Sequence, residues 1–221
     1  RYPCHDSSRV EVQIIGAPLL THILQNVVFP LERDPDLLPL YVDPETWSVI
    51  DEEPVRVSNR AHLGNILGRH RARIVAGRRV SFGTYFNAFP ASYWQHWTAV
   101  RDIRLTVRTE GRATVLVYRS NGGGVRQRVA TSEGDGVASS SFDLRLDQFS
   151  DGGWLWFDIV SDRDEATFAG AEWTTEDEPV RTGKASLGIT TYNKPDYCVQ
   201  TLQALIDAPE ARELIDRIFL I

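Results

Sequence analysis

The sequence predicts a mainly β protein, an antiparallel sandwich or barrel, followed by the start of an α/β unit. Three observations carry that prediction. Six or seven short apolar runs recur between about Arg79 and Trp173, with Gly-rich turns between them and no helical period. A polar, acidic connector follows from Thr174 to Lys184. Past it, the period of the apolar pattern changes from two to 3.6.

Taken in order, residues 1 to about 55 lack sustained periodicity. Leu19 to Val28 reads as a short helix, and Pro30, Pro35, Pro39, Pro44 and Pro54 then leave room only for short extended pieces. This stretch is expected to be a wrapping arm, with the sandwich over 56–178 and the α/β unit over 179–221. Ile103 to Thr109 alternates apolar and polar residues, Glu110-Gly111-Arg112 supplies a turn, and Ala113 to Tyr118 continues, which predicts a hairpin. Asn121 to Gly124 is a strong break, read as a hairpin loop in preference to a phosphate cradle because no helix follows it. Val125 to Thr131, Phe142 to Leu146, Trp154 to Val160 and Ala166 to Trp173 supply the remaining strands. Ala185 to Tyr192 reads as a further strand. Asn193 is expected to cap a helix entered through Pro195, with Val199, Leu202, Leu205 and Ile206 on its apolar face, and Arg217 to Ile221 returns as a strand.

Composition narrows the function classes. The 221 residues carry a net charge of −6, with 42% hydrophobic and 24% charged residues. These are globular values, and no apolar run reaches the roughly 18 residues of a membrane span. Two cysteines, Cys4 and Cys198, match neither a disulfide framework nor a metal spacing. The absence of methionine and a start at Arg1-Tyr2 are expected of a piece of a longer chain. From Pro54 to Arg101 there is no acid but eight arginines, Arg56, Arg60, Arg69, Arg71, Arg73, Arg78, Arg79 and Arg101; from Glu133 to Glu178 acids dominate. The arginines either meet an anionic partner, such as phosphate or a lipid headgroup, or are neutralised by the acidic stretch or simply solvated. The overall acidity and the lack of a recognisable module argue against nucleic acid.

Walker, Gly-x-Gly-x-x-Gly and Gly-x-Ser-x-Gly patterns are missing. Two chemical candidates stand out. Tyr93, Trp94 and Trp97, beside Tyr85, Phe86, Phe89 and His96, form either a sugar-stacking platform or the core and seam of the sandwich. Thr190, Thr191, Tyr192, Asn193, Lys194 and Pro195 form a strand-to-helix corner, the place where open α/β sheets gather ligands; an aromatic there can stack on a base and a cation can meet a phosphate.

Three ordered blocks, Val80 to Trp94, Asp151 to Ile159, and Gly188 to Pro195 with Asp196, Cys198 and Val199, resemble the family of galactofuranosyltransferases that polymerise cell-wall galactan in mycobacteria. The resemblance runs from about Arg79 to Ile221 and more weakly over Leu24 to Asp43. It implies a jelly-roll-like β-sandwich followed by the truncated start of an A-type glycosyltransferase domain. It also implies an inverting enzyme that transfers galactofuranose from UDP-galactofuranose to polyprenyl-pyrophosphate-linked galactan with Mn²⁺ or Mg²⁺. Such an enzyme is expected to be cytoplasmic, peripheral at the inner face of the cell membrane with the arginine segment facing anionic lipid, and homo-oligomeric. The family's Asp-x-Asp metal motif and its carboxylate base are expected past Ile221, so none of the catalytic residues is expected in this chain. The resemblance assigns nucleotide-sugar contact to Thr190, Thr191, Tyr192 and Lys194. The family pattern there is Pro-Thr-Phe-Asn-Arg-Pro, so Tyr192 keeps the aromatic surface, while Lys194 keeps the charge of the arginine without its bidentate fork. The alternative is a non-catalytic sandwich module, structural or carbohydrate-binding, with Tyr93, Trp94 and Trp97 as the glycan contacts.

Overall fold

A computed structural model describes residues 21–30, 34–44, 47–50, 53–56, 58–147, 153–178 and 184–221. The chain divides into two compact units, one ending at Glu178 and one starting at Pro179.

The first unit contains β1 (His22–Asn26), α1 (Leu38–Tyr41), β2 (Asp43–Pro44), β3 (Trp47–Ile50), β4 (Glu53–Arg56), α2 (Asn59–Leu63), β5 (Ile66–Gly68), β6 (Arg71–Ile74) and β7 (Arg79–Ser81). It continues through α3 (Ala91–Trp97), β8 (Asp102–Glu110), β9 (Ala113–Ser120), β10 (Arg126–Gly134), β11 (Val137–Arg145), β12 (Leu155–Ser161) and β13 (Ala166–Thr175). Two large antiparallel sheets result, and β3 pairs with β4 in a separate two-stranded one. Of the large sheets, one has the order β11-β8-β13-β6-β5, with β1 also paired to β13; the other has the order β10-β9-β12-β7-β2. The expected sandwich is present.

Period-two burial builds its core. Ile103, Leu105, Val107 and Thr109 of β8 point inward between exposed Asp102, Arg104 and Arg108, and Ala113, Val115 and Val117 of β9 face them from the other sheet. Leu155, Phe157 and Ile159 do the same on β12. On β13 the parity changes at a bulge: Ala166 and Phe168 are buried before it, Ala171 and Trp173 after it. Gly170 makes this bulge with φ +121 directly beneath the Arg108 guanidinium. An aromatic cluster fills the centre, with Phe82 stacked on Phe157 at 4.5 Å and Phe29 edge-on to Phe168 at 5.7 Å. Each such ring contributes about 1.5–3 kcal/mol by leaving water.

Three expectations change in this unit. Strands β8 and β9 do not pair as a hairpin; Gly111, at φ +84, carries the chain over the core edge from one sheet to the other. Both strands bury one face, and facing each other across the core satisfies both faces better than lying side by side. Residues 22–26, expected in a helix, form β1 against β13, since their backbone completes that strand's free edge. The proline-rich segment also does more than wrap: Val27, Phe29, Leu38 and Val42 are core residues, and β1 and β2 extend the two sheets. Buried Asn87 pins this segment, its Oδ1 accepting from Val28 N at 2.9 Å and its Nδ2 donating to Val28 O at 2.8 Å and Tyr41 O at 2.6 Å. Asn121 to Gly124 joins the β9-β10 hairpin as expected, with Asn121 Oδ1 accepting from Gly123 N and Val125 N.

The second unit holds β14 (Ala185–Ile189), α4 (Pro195–Ile206), α5 (Pro209–Leu214) and β15 (Ile215–Leu220). β14 and β15 pair in parallel, Leu187 opposite Ile218 and Ile189 opposite Leu220. Pro209 stops the α4 register and opens α5, an extra helix that brings the returning strand forward to Ile215. Val199, Ile206, Leu214 and Phe219 are exposed within this unit.

Candidate functional site

The strand-to-helix corner is built by the parallel pair. Ile221 N donates to Ile189 O and Thr191 N donates to Ile221 O, both at 2.9 Å, which extends the ladder past the end of β14. The chain then turns sharply at Asn193, which adopts left-handed φ +51. Asn193 therefore does not cap α4; Asn tolerates this conformation better than most residues, and Lys194 occupies the capping position without a side-chain cap bond. Pro195 follows at the first helical position, where no N–H is needed.

All four sequence-predicted residues of the corner share this one loop. Thr190 is exposed, and the half-buried Thr191 donates from Oγ1 to Lys194 O at 3.4 Å. Tyr192 is 92% exposed, its ring presented to solvent. Lys194 Nζ stands 5.7 Å from the centre of the Tyr197 ring, a cation–π contact that holds it near the first turn of α4, where Asp196 also lies.

The second candidate lies on α3 in the sandwich unit. Ala91 is buried and Trp94 faces inward, its indole parallel to Phe89 at 6.1 Å, while Phe89 stacks on Trp173 at 4.9 Å. Tyr93 and Trp97 point the other way, 57% and 68% exposed. The segment thus divides between the two readings made of it: Phe89 and Trp94 belong to the core and its margin, Tyr93 and Trp97 to the surface. Arg101 ends α3 by donating to the carbonyls of Gln95, Thr98 and Val100 at 3.1, 2.9 and 2.8 Å. Trp154, 45% exposed, was not singled out from the sequence. Only strand pairing brings its backbone to α3: Ser92 N donates to the carbonyl of the neighbouring Gly153 at 3.2 Å.

The arginine-rich and acidic stretches meet. Arg71 forms a bidentate pair with Glu110 at 2.9 and 2.5 Å, Arg73 lies 3.7 Å from Glu165, and Arg79 pairs with the fully buried Asp158. On the face of the β8 sheet that also carries Arg71–Glu110, Arg104 pairs with Asp143 at 2.7 Å and Arg108 with Glu172 at 3.0 Å. Of these pairs, Arg73–Glu165 and Arg79–Asp158 join the arginine segment to the acidic stretch, while Arg71 is met from outside that stretch by Glu110. Beside Arg79, burial pushes the Asp43 carboxyl up, with Asp158 adding to the effect; burial, then Arg78, pushes the His62 imidazole down. His62, Arg73 and Arg78 line a cleft of about 300 Å³.

Among the described residues there is no group of three or more His, Cys, Asp or Glu side chains able to hold a metal ion, so these residues do not fit the implied divalent cation. Asp34-Pro35-Asp36 and Asp162-Arg163-Asp164 have Asp-x-Asp spacing but belong to the sandwich unit. Cys198 is free and half-buried, and Cys4 lies outside the described residues. No helix among the described residues is long and apolar enough to cross a membrane.

A two-sheet sandwich joined in one chain to a parallel β-α-β unit, with an aromatic and a cation on the corner of that unit, is the class of protein these features define. The chain belongs to the Galactofuranosyltransferase 2 N-terminal family, whose profile matches residues 24–176. It is 36% identical over 201 residues to the galactofuranosyltransferase GlfT2 of Mycolicibacterium smegmatis, covering 89% of this chain and 29% of that protein. The GlfT2 of Mycobacterium tuberculosis is 35% identical over 202 residues, 89% of this chain and 30% of that protein. The chain therefore spans about 30% of the length of these relatives. One solved structure, the CBM22-1 and GH10 modules of Clostridium thermocellum xylanase 10B, aligns over 85% of this chain and 36% of that one. Its TM-score of 0.35 and 13% identity make that likeness too distant to carry an argument.

Proposed function

We propose that this chain is the N-terminal part of a galactofuranosyltransferase that transfers galactofuranose, with inversion, from UDP-galactofuranose to lipid-linked cell-wall galactan. The observation that carries the reading is the 36% identity to a named galactofuranosyltransferase across 89% of the chain. Its sandwich domain runs to Glu178 and takes in β1, β2 and the core residues of the proline-rich segment, and the first part of the transferase domain follows over 179–221. In that domain Tyr192 stacks on the uracil and Lys194 meets the diphosphate at the start of α4, with Thr190 and Thr191 shaping the loop between them. The exposure of Tyr192 and the position of Lys194 at the helix entrance support these roles.

The same reading extends to Mn²⁺ or Mg²⁺ for the whole protein, to work at the cytoplasmic face of the cell membrane where a polyprenyl-linked acceptor is anchored, and to homo-oligomerisation. The full-length protein is expected to elongate a galactofuranosyl acceptor with UDP-galactofuranose, to lose turnover in EDTA and to regain it with Mn²⁺. Lys194→Ala is expected to raise the donor KM roughly ten- to hundredfold, about the 1.5–3 kcal/mol of one charge-assisted hydrogen bond. Absence of transfer overturns the reading, and an unchanged donor KM removes Lys194 from the site.

A further inference from the structure

We propose that the sandwich unit carries a binding surface of its own, an aromatic platform of Tyr93, Trp97 and Trp154 that holds an uncharged oligosaccharide. Tyr93 and Trp97 are four residues apart on α3 and therefore neighbours on one helix face, opposite the inward-facing Ala91 and Trp94. Phe89 and Leu155 exchange both backbone hydrogen bonds, at 2.7 and 2.9 Å, and Ser92 N donates to Gly153 O. These bonds clamp the start of α3 to the start of β12, and the next residues along from the Ser92–Gly153 contact are Tyr93 and Trp154. Two of the three side chains are more than half exposed, although large aromatics are usually covered in a folded domain.

The support beneath them is rigid. Trp94 rests on Phe89, Phe89 rests on Trp173, and Arg101 holds the C-terminal carbonyls of the helix. Aromatic side chains with two rotatable bonds on such a base lose little freedom when they bind.

Charge selects the class of occupant. From Val80 to Val100 there is no Asp, Glu, Lys or Arg, in a chain where 24% of residues are charged. Most of the charged face of the β8 sheet is occupied by arginine–carboxylate pairs. Helix α3 itself thus presents an uncharged surface, and the cation at its C-terminal end, Arg101, has its Nη1 committed to the carbonyls of Gln95, Thr98 and Val100. The helix's other exposed or half-exposed groups, Ser92, Gln95 and His96, donate and accept hydrogen bonds without presenting aliphatic bulk. Ring C–H faces that stack on indole and phenol, rimmed by hydroxyls that need hydrogen bonds, satisfy both demands. This extends the transferase reading, in which the acceptor is a glycan, but the binding itself requires neither donor nor metal.

The test is titration of the 221-residue chain with a galactofuranosyl hexasaccharide, read by tryptophan fluorescence and saturation-transfer NMR, with light scattering to report the oligomeric state. Tyr93→Ala, Trp97→Ala and Trp154→Ala are each expected to weaken binding roughly three- to tenfold, Trp97→Phe to retain most of it, and the melting temperature to stay unchanged. Failure of the parent chain to bind, or unchanged affinity in a Tyr93→Ala/Trp97→Ala double variant, overturns the proposal. So does a parent dimer that this double variant converts to monomer without any saccharide binding, which identifies the surface as a contact between copies. Titration with UDP on the same proteins reports on the Thr190–Lys194 corner alone, so the failure of either reading leaves the other standing.

Discussion

Asp177 accepts backbone hydrogen bonds from Arg101 N at 2.7 Å and Asp102 N at 3.0 Å, just where β8 begins. These two donors, Arg101 first, hold its carboxyl below the usual carboxylate range. A depressed carboxylate stabilises the fold fully above its unfolded pKa of about 3.9 and loses that contribution as pH falls through the folded value. Asp177→Ala is expected to lower stability by about 1–2 kcal/mol at neutral pH, roughly 3–6 °C in melting temperature. It should also flatten the pH dependence of unfolding below about pH 4. Thermal scans from neutral to acid pH check both. An undiminished acid slope in the variant would mean that other carboxylates govern acid unfolding.

Among elements, the connection from β8 to β9 defines the topology. Gly111 has φ +84, and a Cβ there would meet Glu165 O at 3.0 Å and Ala166 Cα at 3.3 Å. Both contacts are backbone atoms of the segment entering β13, so the neighbour yields little. Gly111→Ala is expected to cost about 1–3 kcal/mol in denaturant unfolding, with an unchanged m-value because the fold stays the same. Gly124 makes an instructive contrast: its φ of +76 lies in the β9-β10 hairpin loop with open space around it, so side-chain volume there meets nothing. Sequence reading treated the turns at 110–112 and 121–124 alike, because both are short and glycine-bearing. The difference between an arch and a hairpin lies in what each turn touches: Glu165 and Ala166, far along the chain, in the one case and nothing in the other.

At the scale of the whole molecule, arginines and carboxylates remote in sequence become partners across strands. The pairs Arg71–Glu110, Arg73–Glu165 and Arg104–Asp143 are all at least one-third exposed on both sides. Exposed pairs contribute at most about 1 kcal/mol each and weaken with salt. The melting temperature is therefore expected to move by no more than about 3 °C between about 0.05 M and 1 M NaCl, measured by scanning calorimetry. A steep loss at high salt would show that the charge network, not the aromatic core around Phe82, Phe157 and Phe168, holds the sandwich together.

By itself the sequence determined that a run of short strands follows Arg79, that the grammar changes after Trp173, and which loop carries Tyr192 and Lys194. All of these are local patterns, set by side-chain periodicity and turn chemistry within a dozen residues. Only the tertiary structure decided that β8 and β9 face each other across the core, that 22–26 is a strand, that Arg79 meets Asp158, and that Gly153, next to Trp154, bonds Ser92, next to Tyr93. The physical reason is that a strand's backbone can pair with any free edge. Which edge it takes is settled by burying both apolar faces at once, a condition on residues some 80 positions apart that no local pattern contains.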